Sequence, residues 1–249
     1  MSLVMDGAAS DAASAAPDAT DPAASDVTWR ERAVERSLRN ARAKAMSRSD
    51  RFIQSAIEIL TETGRTDFTV QELIERSKTS LRSFYQHFSG KEELLLALFE
   101  EIIATSAAQW RSDVTEMPDT LAGLRYVVEM VHAQAGDPTG GGINRALSVY
   151  HLQLAESRPA EYARVLAPLR ELILDLVKRG IDEGEFREDI DADTLAMIMM
   201  QTIVGAAHMH ALGSEPGGVA LGTEQLWEFC LGGLVGAGAE STKPTRRKR

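Results

Sequence analysis

The sequence predicts an all-α protein: three short helices in its N-terminal half, then a larger helical body. Three observations carry this reading. Apolar residues recur at three- and four-residue spacing in six runs between 94 and 238, the period of a helix with a buried face. No stretch shows the apolar–polar alternation of a half-buried strand, and no segment repeats. Two Ser/Thr-x-x-Glu boxes, at Thr69–Glu72 and Ser89–Glu92, mark helix starts close enough together that the helices between them must be small.

With 249 residues and 44% hydrophobic content the chain can bury a sizeable core without covalent help. Cys230 is its only cysteine, which excludes an internal disulfide, and it lies in an apolar run that points to a buried thiol in a reducing cytoplasm. The net charge of −10 hides a partition. Residues 1–28 hold five Asp and no cation, whereas 29–51 hold eight Lys or Arg against three acids. The tail from Lys243 adds five cations, leaving 14 basic against 29 acidic residues between 52 and 242. A polyanion would therefore meet the N-terminal third and be repelled by the body.

Residues 1–28, rich in Ala, Asp, Ser and Pro, have too little to bury and read as a disordered acidic arm; they lack the cationic start and apolar stretch of a secretory signal. Residues 29–46 read as a basic helical extension, and 241–249 as a basic disordered tail. Between them, 47–93 form the small-helix unit and 94–240 the body.

Ile53, Ala56, Ile57 and Leu60 fall on one helical face, closed by Gly64 in a C′ position. Thr69 caps a second helix, with Glu72 completing the box and Phe68 and Leu73 at staple spacing. A third starts near Ser80 and a fourth is expected at the Ser89 box. Three helices with such short connections match a helix-turn-helix unit. In the third helix Phe84 and Phe88 can pack inward, which leaves Leu81, Arg82, Ser83 and Tyr85 facing out. That outward set suits the DNA major groove: Arg82 for a bidentate guanine contact, Ser83 and Tyr85 for bases or phosphates. His87 and Lys91, with the helix starts at Thr69 and Ser80, are placed for backbone phosphates. Arg39, Arg42 and Arg48 belong to a stretch that could follow the duplex as an arm.

Over about 45 residues, from the apolar helix at 51–64 through Phe68-Thr-Val-Gln-Glu-Leu-Ile74 to Ser80-Leu-Arg-Ser-Phe-Tyr-Gln-His-Phe-Ser-Gly-Lys-Glu-Glu-Leu-Leu95, the sequence resembles the TetR family of bacterial transcriptional regulators. The spacing Phe84-Tyr85, His87-Phe88, Lys91 and Leu94 carries the likeness. One departure stands in the turn, where Lys78-Thr79 replaces the family's usual Gly-Val; a positive φ there would strain Lys78. The resemblance implies a helix-turn-helix DNA-binding domain and a C-terminal ligand-binding and dimerisation domain. It also implies a homodimer on a palindromic double-stranded DNA operator, released by a small-molecule effector.

In the body, Trp110, Tyr126, Met130, Tyr150, Met197 and Met200 are the candidate lining of an apolar effector cavity. Met199, Ala206, Met209, Trp227, Gly232 and Gly236 are the candidate dimer interface, the glycines giving a smooth face. Pro168 either kinks its helix or divides it. The uncharged span 194–214 reads as a buried helix rather than a membrane crossing, since its context is acidic and Gln201, Thr202, His208 and His210 interrupt it. His132 and His151 are possible polar handles in a cavity. His208 and His210, two apart, point to different sides and do not suit one metal. No phosphate loop, nucleophile elbow or zinc spacing is present, so neither cofactor nor catalysis is expected. A helical enzyme or carrier is the alternative, and it would need the clustered titratable groups that the body lacks.

Overall fold

The computed structural model describes residues 48–136, 142–214, 216–218 and 221–235, all within the compact unit that begins at Ala45. The acidic arm, the basic extension with Arg39 and Arg42, Gly236 and the C-terminal tail lie outside the described residues.

Nine helices and no strands occur among the described residues. Helix α1 is helical from the first described residue, 48, to 63. Its buried stripe is Phe52, Ala56, Ile59 and Leu60, and Ile53 and Ile57 sit at the edge of that stripe instead of its centre. Phe52 shifts the face because a large ring dominates the area a helix can bury. Gly64, at φ 65°, closes the helix through its N–H to the Leu60 carbonyl.

Helix α2 (Val70–Ser77) starts with the expected capping box: the Thr69 hydroxyl accepts from the Glu72 N–H, and the Glu72 carboxylate accepts from the Thr69 N–H. Phe68 and Leu73 are both buried beside it. Arg76 forks onto Glu62 with two 2.6 Å bonds and so ties α2 to the end of α1. The helix ends in a Schellman arrangement. The Lys78 N–H reaches the Glu75 carbonyl at 3.3 Å, and the Thr79 N–H reaches Ile74 at 3.1 Å. This geometry requires a left-handed residue, and Lys78 supplies it at φ 50°, ψ 47°, the one positive-φ residue other than glycine among those described.

Helix α3 (Leu81–Tyr85) is capped by Ser80, whose hydroxyl accepts from Ser83 N–H. Helix α4 (Lys91–Thr115) departs from expectation at its start. Gly90 is the N-cap and makes no side-chain cap, so the Ser89–Glu92 box does not form. Because the helix begins one residue later, Glu93 becomes the N3 acid and its carboxylate accepts from the Ser89 N–H at 2.5 Å. The Ser89 hydroxyl and then its N–H, both beside the carboxylate, hold the Glu93 carboxyl below its ordinary range.

The body follows as α5 (Thr120–Gly136), α6 (Ile143–Ser157), α7 (Pro159–Asp182), α8 (Ala192–Leu212) and α9 (Thr223–Val235), with one 3-10 turn at Pro216–Gly218. Helix α7 runs unbroken through Pro168. Asp191 caps α8 by accepting from the Thr194 N–H, and Gly213 ends it at φ 62°. Although α8 is long and apolar enough to cross a membrane, it packs against α5, α7 and α9.

Two cores result. The first joins α4, α5, α7, α8 and α9 around Leu124, Val127, Ile173, Val177 and Ile203. The second gathers Phe52, Leu73, Phe84 and Phe88 and continues through Leu94, Leu98 and Phe99 to Tyr150, Leu154 and Leu166, so it spans α1 to α7. Backbone also touches backbone between α1 and α6. The Gly142 N–H donates to the Thr61 carbonyl at 2.7 Å, and a Cβ on Gly142 would lie 2.2 Å from the Gly64 Cα.

Replacing Lys78 by Gly relieves the left-handed strain. Lys78→Gly is expected to raise unfolding stability by about 1 kcal/mol, read as a higher denaturant midpoint at unchanged m-value; a lower midpoint would contradict this account of the turn.

Candidate functional site

Helix α3 is fixed by its inward face. Phe84 is fully buried and Phe88 nearly so, and both set their rings edge-on to Phe52, at 5.5 and 6.2 Å. Of the remaining positions Leu81, Arg82 and Tyr85 point outward, whereas the Ser83 hydroxyl, expected to meet bases or phosphates, is buried with no hydrogen-bond partner among the described residues. Leu81 is 48% and Tyr85 57% exposed, Arg82 is exposed, and Ser83 is half-buried. Exposed apolar groups of this size on so short a helix are costly unless a partner covers them.

Around this helix the sequence-predicted residues come together. His87 leans on Phe52 at 6.2 Å, and Lys91 holds its ammonium 5.6 Å over the Phe68 ring, which fixes both at the edge of the α3 face. The Thr69 and Ser80 hydroxyls are committed to their caps, which leaves helix-end N–H groups rather than free hydroxyls for a phosphate. A depression of about 340 Å³ opens between α1 and the start of α3, with Arg48, Arg51, Lys78 and Arg82 in its wall and no acid. Arg51 closes the basic stretch from Arg30 that the sequence offers as a DNA arm. Its spacing from Arg48, three residues on the exposed side of α1, is the signal that marks it.

The body holds a cavity of about 120 Å³ between α4, α5, α6, α7 and α8. Of the six candidate lining residues, only Trp110 reaches it, beside Phe99, Ile102, Leu147, Leu166 and Val204. The other five sit elsewhere for identifiable reasons. Tyr126 donates its hydroxyl to Asp113 at 2.6 Å, which pushes its pKa up to about 12. Tyr150 is buried with its hydroxyl on the Glu92 carbonyl at 3.2 Å. Met130 packs on the first core, Met200 lies between the two cores, and Met197 is 44% exposed on the outer side of α8.

The polar groups in the cavity are His151, His208, Asn144, Gln134, Ser106 and Ser148; no charged side chain lines it. The His151 and His208 rings meet edge to face at 4.0 Å, and Tyr162 is hydrogen-bonded to His151 Nε2. Burial and then the neighbouring His208 lower the His151 pKa to about 3; burial also lowers that of His208. Both imidazoles are therefore neutral at pH 7. The other histidine pair, His132 and His210, stacks at 4.9 Å, and no group of three or more metal-binding side chains occurs among the described residues.

The outer side of α8 and α9 exposes Ile198 at 50% and Phe229 at 72%, which line one depression, and Met197 is also exposed on α8. Gly205, Gly232 and Gly233 leave open space where side chains would stand. Two of the residues expected at the interface lie inside instead. Met199 and Trp227 are each 4% exposed and belong to the first core of their own subunit. Ala206 and Met209 are half-buried, and only Gly232 of the described candidates lies on the open face.

Residues 52–98 match the family of bacterial regulatory proteins of the tetR type, and residues 158–226 match its tetracyclin repressor-like C-terminal domain. The chain belongs to the TetR family. The HTH-type transcriptional repressor KstR2 of Mycobacterium tuberculosis is 24% identical over 199 residues, 77% of this chain and 95% of that protein. The fatty acid metabolism regulator protein of Bacillus subtilis is 23% identical over 156 residues, 61% of this chain and 77% of the relative. The same fold occurs in FadR of Bacillus subtilis in complex with stearoyl-CoA, at a TM-score of 0.60 and 20% identity over 74% of this chain and 97% of that one. Membership makes this chain a DNA-binding, ligand-responsive transcriptional regulator and not an enzyme.

The neutral histidines of this TetR-family cavity set a pH dependence. Their folded pKa values lie below the ordinary 6.5, so below pH 6.5 the unfolded chain binds protons that the folded chain refuses. Stability is complete above about pH 6.5 and falls as the pH drops toward 3. The denaturant midpoint should therefore fall between pH 6.5 and 5, before the carboxylates titrate, and His151→Asn should flatten that slope. An equal slope in the variant would contradict the assignment.

Proposed function

We propose that the protein represses transcription as a homodimer on a palindromic operator and is released when a small effector enters the cavity. The observation that carries the reading is the division of α3: Phe84 and Phe88 inward, Leu81, Arg82 and Tyr85 outward, beside a depression walled by cations. An outward Arg reads guanine edges with a bidentate contact, while the surrounding cations and helix ends hold phosphates. Five residues of helix reach too few base pairs for a genomic address, which favours two copies on successive major-groove faces.

The open face of α8 and α9 supports the pairing. Met197, Ile198 and Phe229 are exposed apolar groups on neighbouring helices, and the glycines at 205, 232 and 233 permit close helix approach. A cytoplasmic, DNA-associated protein fits this arrangement, with the acidic body turned away from the duplex.

Release requires that the effector prefer the conformer whose α3 helices no longer fit successive grooves. Two helices run from cavity to reading unit. Helix α4 contributes Phe99, Ile102 and Trp110 to the cavity and begins at Lys91. Helix α6 contributes Leu147, Ser148 and His151, while its first residues press Gly142 on Gly64 and its Tyr150 bonds the first turn of α4. An effector that moves α6 would thereby move both ends of the reading unit.

Gel retardation on fragments of the flanking intergenic DNA tests the reading. Arg82→Ala with Tyr85→Ala removes exposed groups and leaves the buried pair intact. It is expected to weaken operator binding by at least about 100-fold, at 1–3 kcal/mol per base contact, while changing affinity for random DNA far less. An equal loss on both would indicate binding without sequence preference.

A further inference from the structure

We propose that the effector is an uncharged, hydroxyl-bearing molecule of single-ring size, with phenol the simplest member of its class, held through His208. The inference rests on reading the cavity as the effector site and adds its ligand chemistry.

Size sets the first limit. A cavity of about 120 Å³ compares with the roughly 150 Å³ apolar cavity that accepts a benzene molecule. One ring fills that space. Phe99 and Trp110 give the wall aromatic surface of the kind that pairs well with a ring.

Charge sets the second. No Lys, Arg, Asp or Glu lines the space, and its two imidazoles are neutral. A carboxylate or phosphate would enter without a cation, at the heavy cost of an unpaired buried charge. A hydrocarbon would avoid that cost but leave polar atoms dry.

His208 sets the third. His151 already engages the Tyr162 hydroxyl through Nε2, whereas His208 makes no hydrogen bond among the described residues although its side chain lines the cavity. A neutral imidazole offers one N–H and one lone pair. A hydroxyl can give to the lone pair or take from the N–H, and Asn144 and Ser148 stand in the same wall for a second polar substituent.

Calorimetry on the full chain, without DNA, tests the assignment with phenol, toluene, benzoate and stearoyl-CoA. Phenol should bind saturably, one per subunit, and at least about tenfold more tightly than toluene, which has its shape but no hydroxyl. Benzoate should bind more weakly than phenol, and stearoyl-CoA should not displace it. His208→Phe keeps a ring in place without the nitrogens and should erase the preference of phenol over toluene. The wild-type ligand series stands even if that variant does not fold. Equal binding of phenol and toluene, tighter binding of benzoate, displacement by stearoyl-CoA, or no binding of phenol would each overturn the proposal. Gel retardation of the ligand-free protein separately tests the repressor reading: specific retardation without phenol binding sinks only the ligand class, and phenol binding without specific retardation sinks only the repressor.

Discussion

The buried cluster that seats Phe84 against Phe52 does not end at the reading unit. It continues along α4 through Leu94, Leu98 and Phe99 and is closed by Tyr150, Leu154, Val165 and Leu166 from α6 and α7. Phe99 and Leu166 belong to this cluster and also wall the cavity. Interiors packed this densely transmit displacement because there is little void to absorb it. A molecule that spreads the cavity therefore acts on side chains in van der Waals continuity with the seat of α3. The boundary drawn near residue 93 from sequence marks a change in helix length, not a break between two cores.

Electrostatics complements this packing. The cations Arg48, Arg51, Lys78 and Arg82 share one depression, whereas residues 52–242 taken together carry an excess of acid. Such a molecule approaches a polyanion with one end forward, and the bias weakens as salt shortens the reach of the field. Lys78 has two consequences at one position: its left-handed backbone sets the α2–α3 turn, and its side chain adds charge beside the reading helix. Gly would give a relaxed turn without the charge.

Much of the reading unit was legible because its signals are local. The Thr69 box, the Gly64 terminus, the inward spacing of Phe84 and Phe88 and the strain at Lys78 depend on residues a few positions apart. Where a local signal was ambiguous the reading slipped by a small step, as when Ser89-Gly90-Lys91 placed the α4 cap one residue early. In the body the deciding facts are long-range. Helix α8 is apolar nearly all round, so periodicity could not say that Met199 faces inward and Met197 outward. Tyr126 and Tyr150 looked like cavity walls until Asp113 and the Glu92 carbonyl claimed their hydroxyls. His151 and His208 are far apart in sequence and meet only because α6 and α8 pack together. Side-chain spacing alone holds no record of such a meeting.

The most direct test of this account is the separation of the two α3 helices. Spin labels at Gln86→Cys in a Cys230→Ser background report it by pulsed electron resonance. On operator DNA the distance should be narrow and consistent with grooves about 34 Å apart, and adding phenol should shift the distribution as DNA is released. Release of DNA at an unchanged distance would contradict the claim that filling the cavity acts through the shared core.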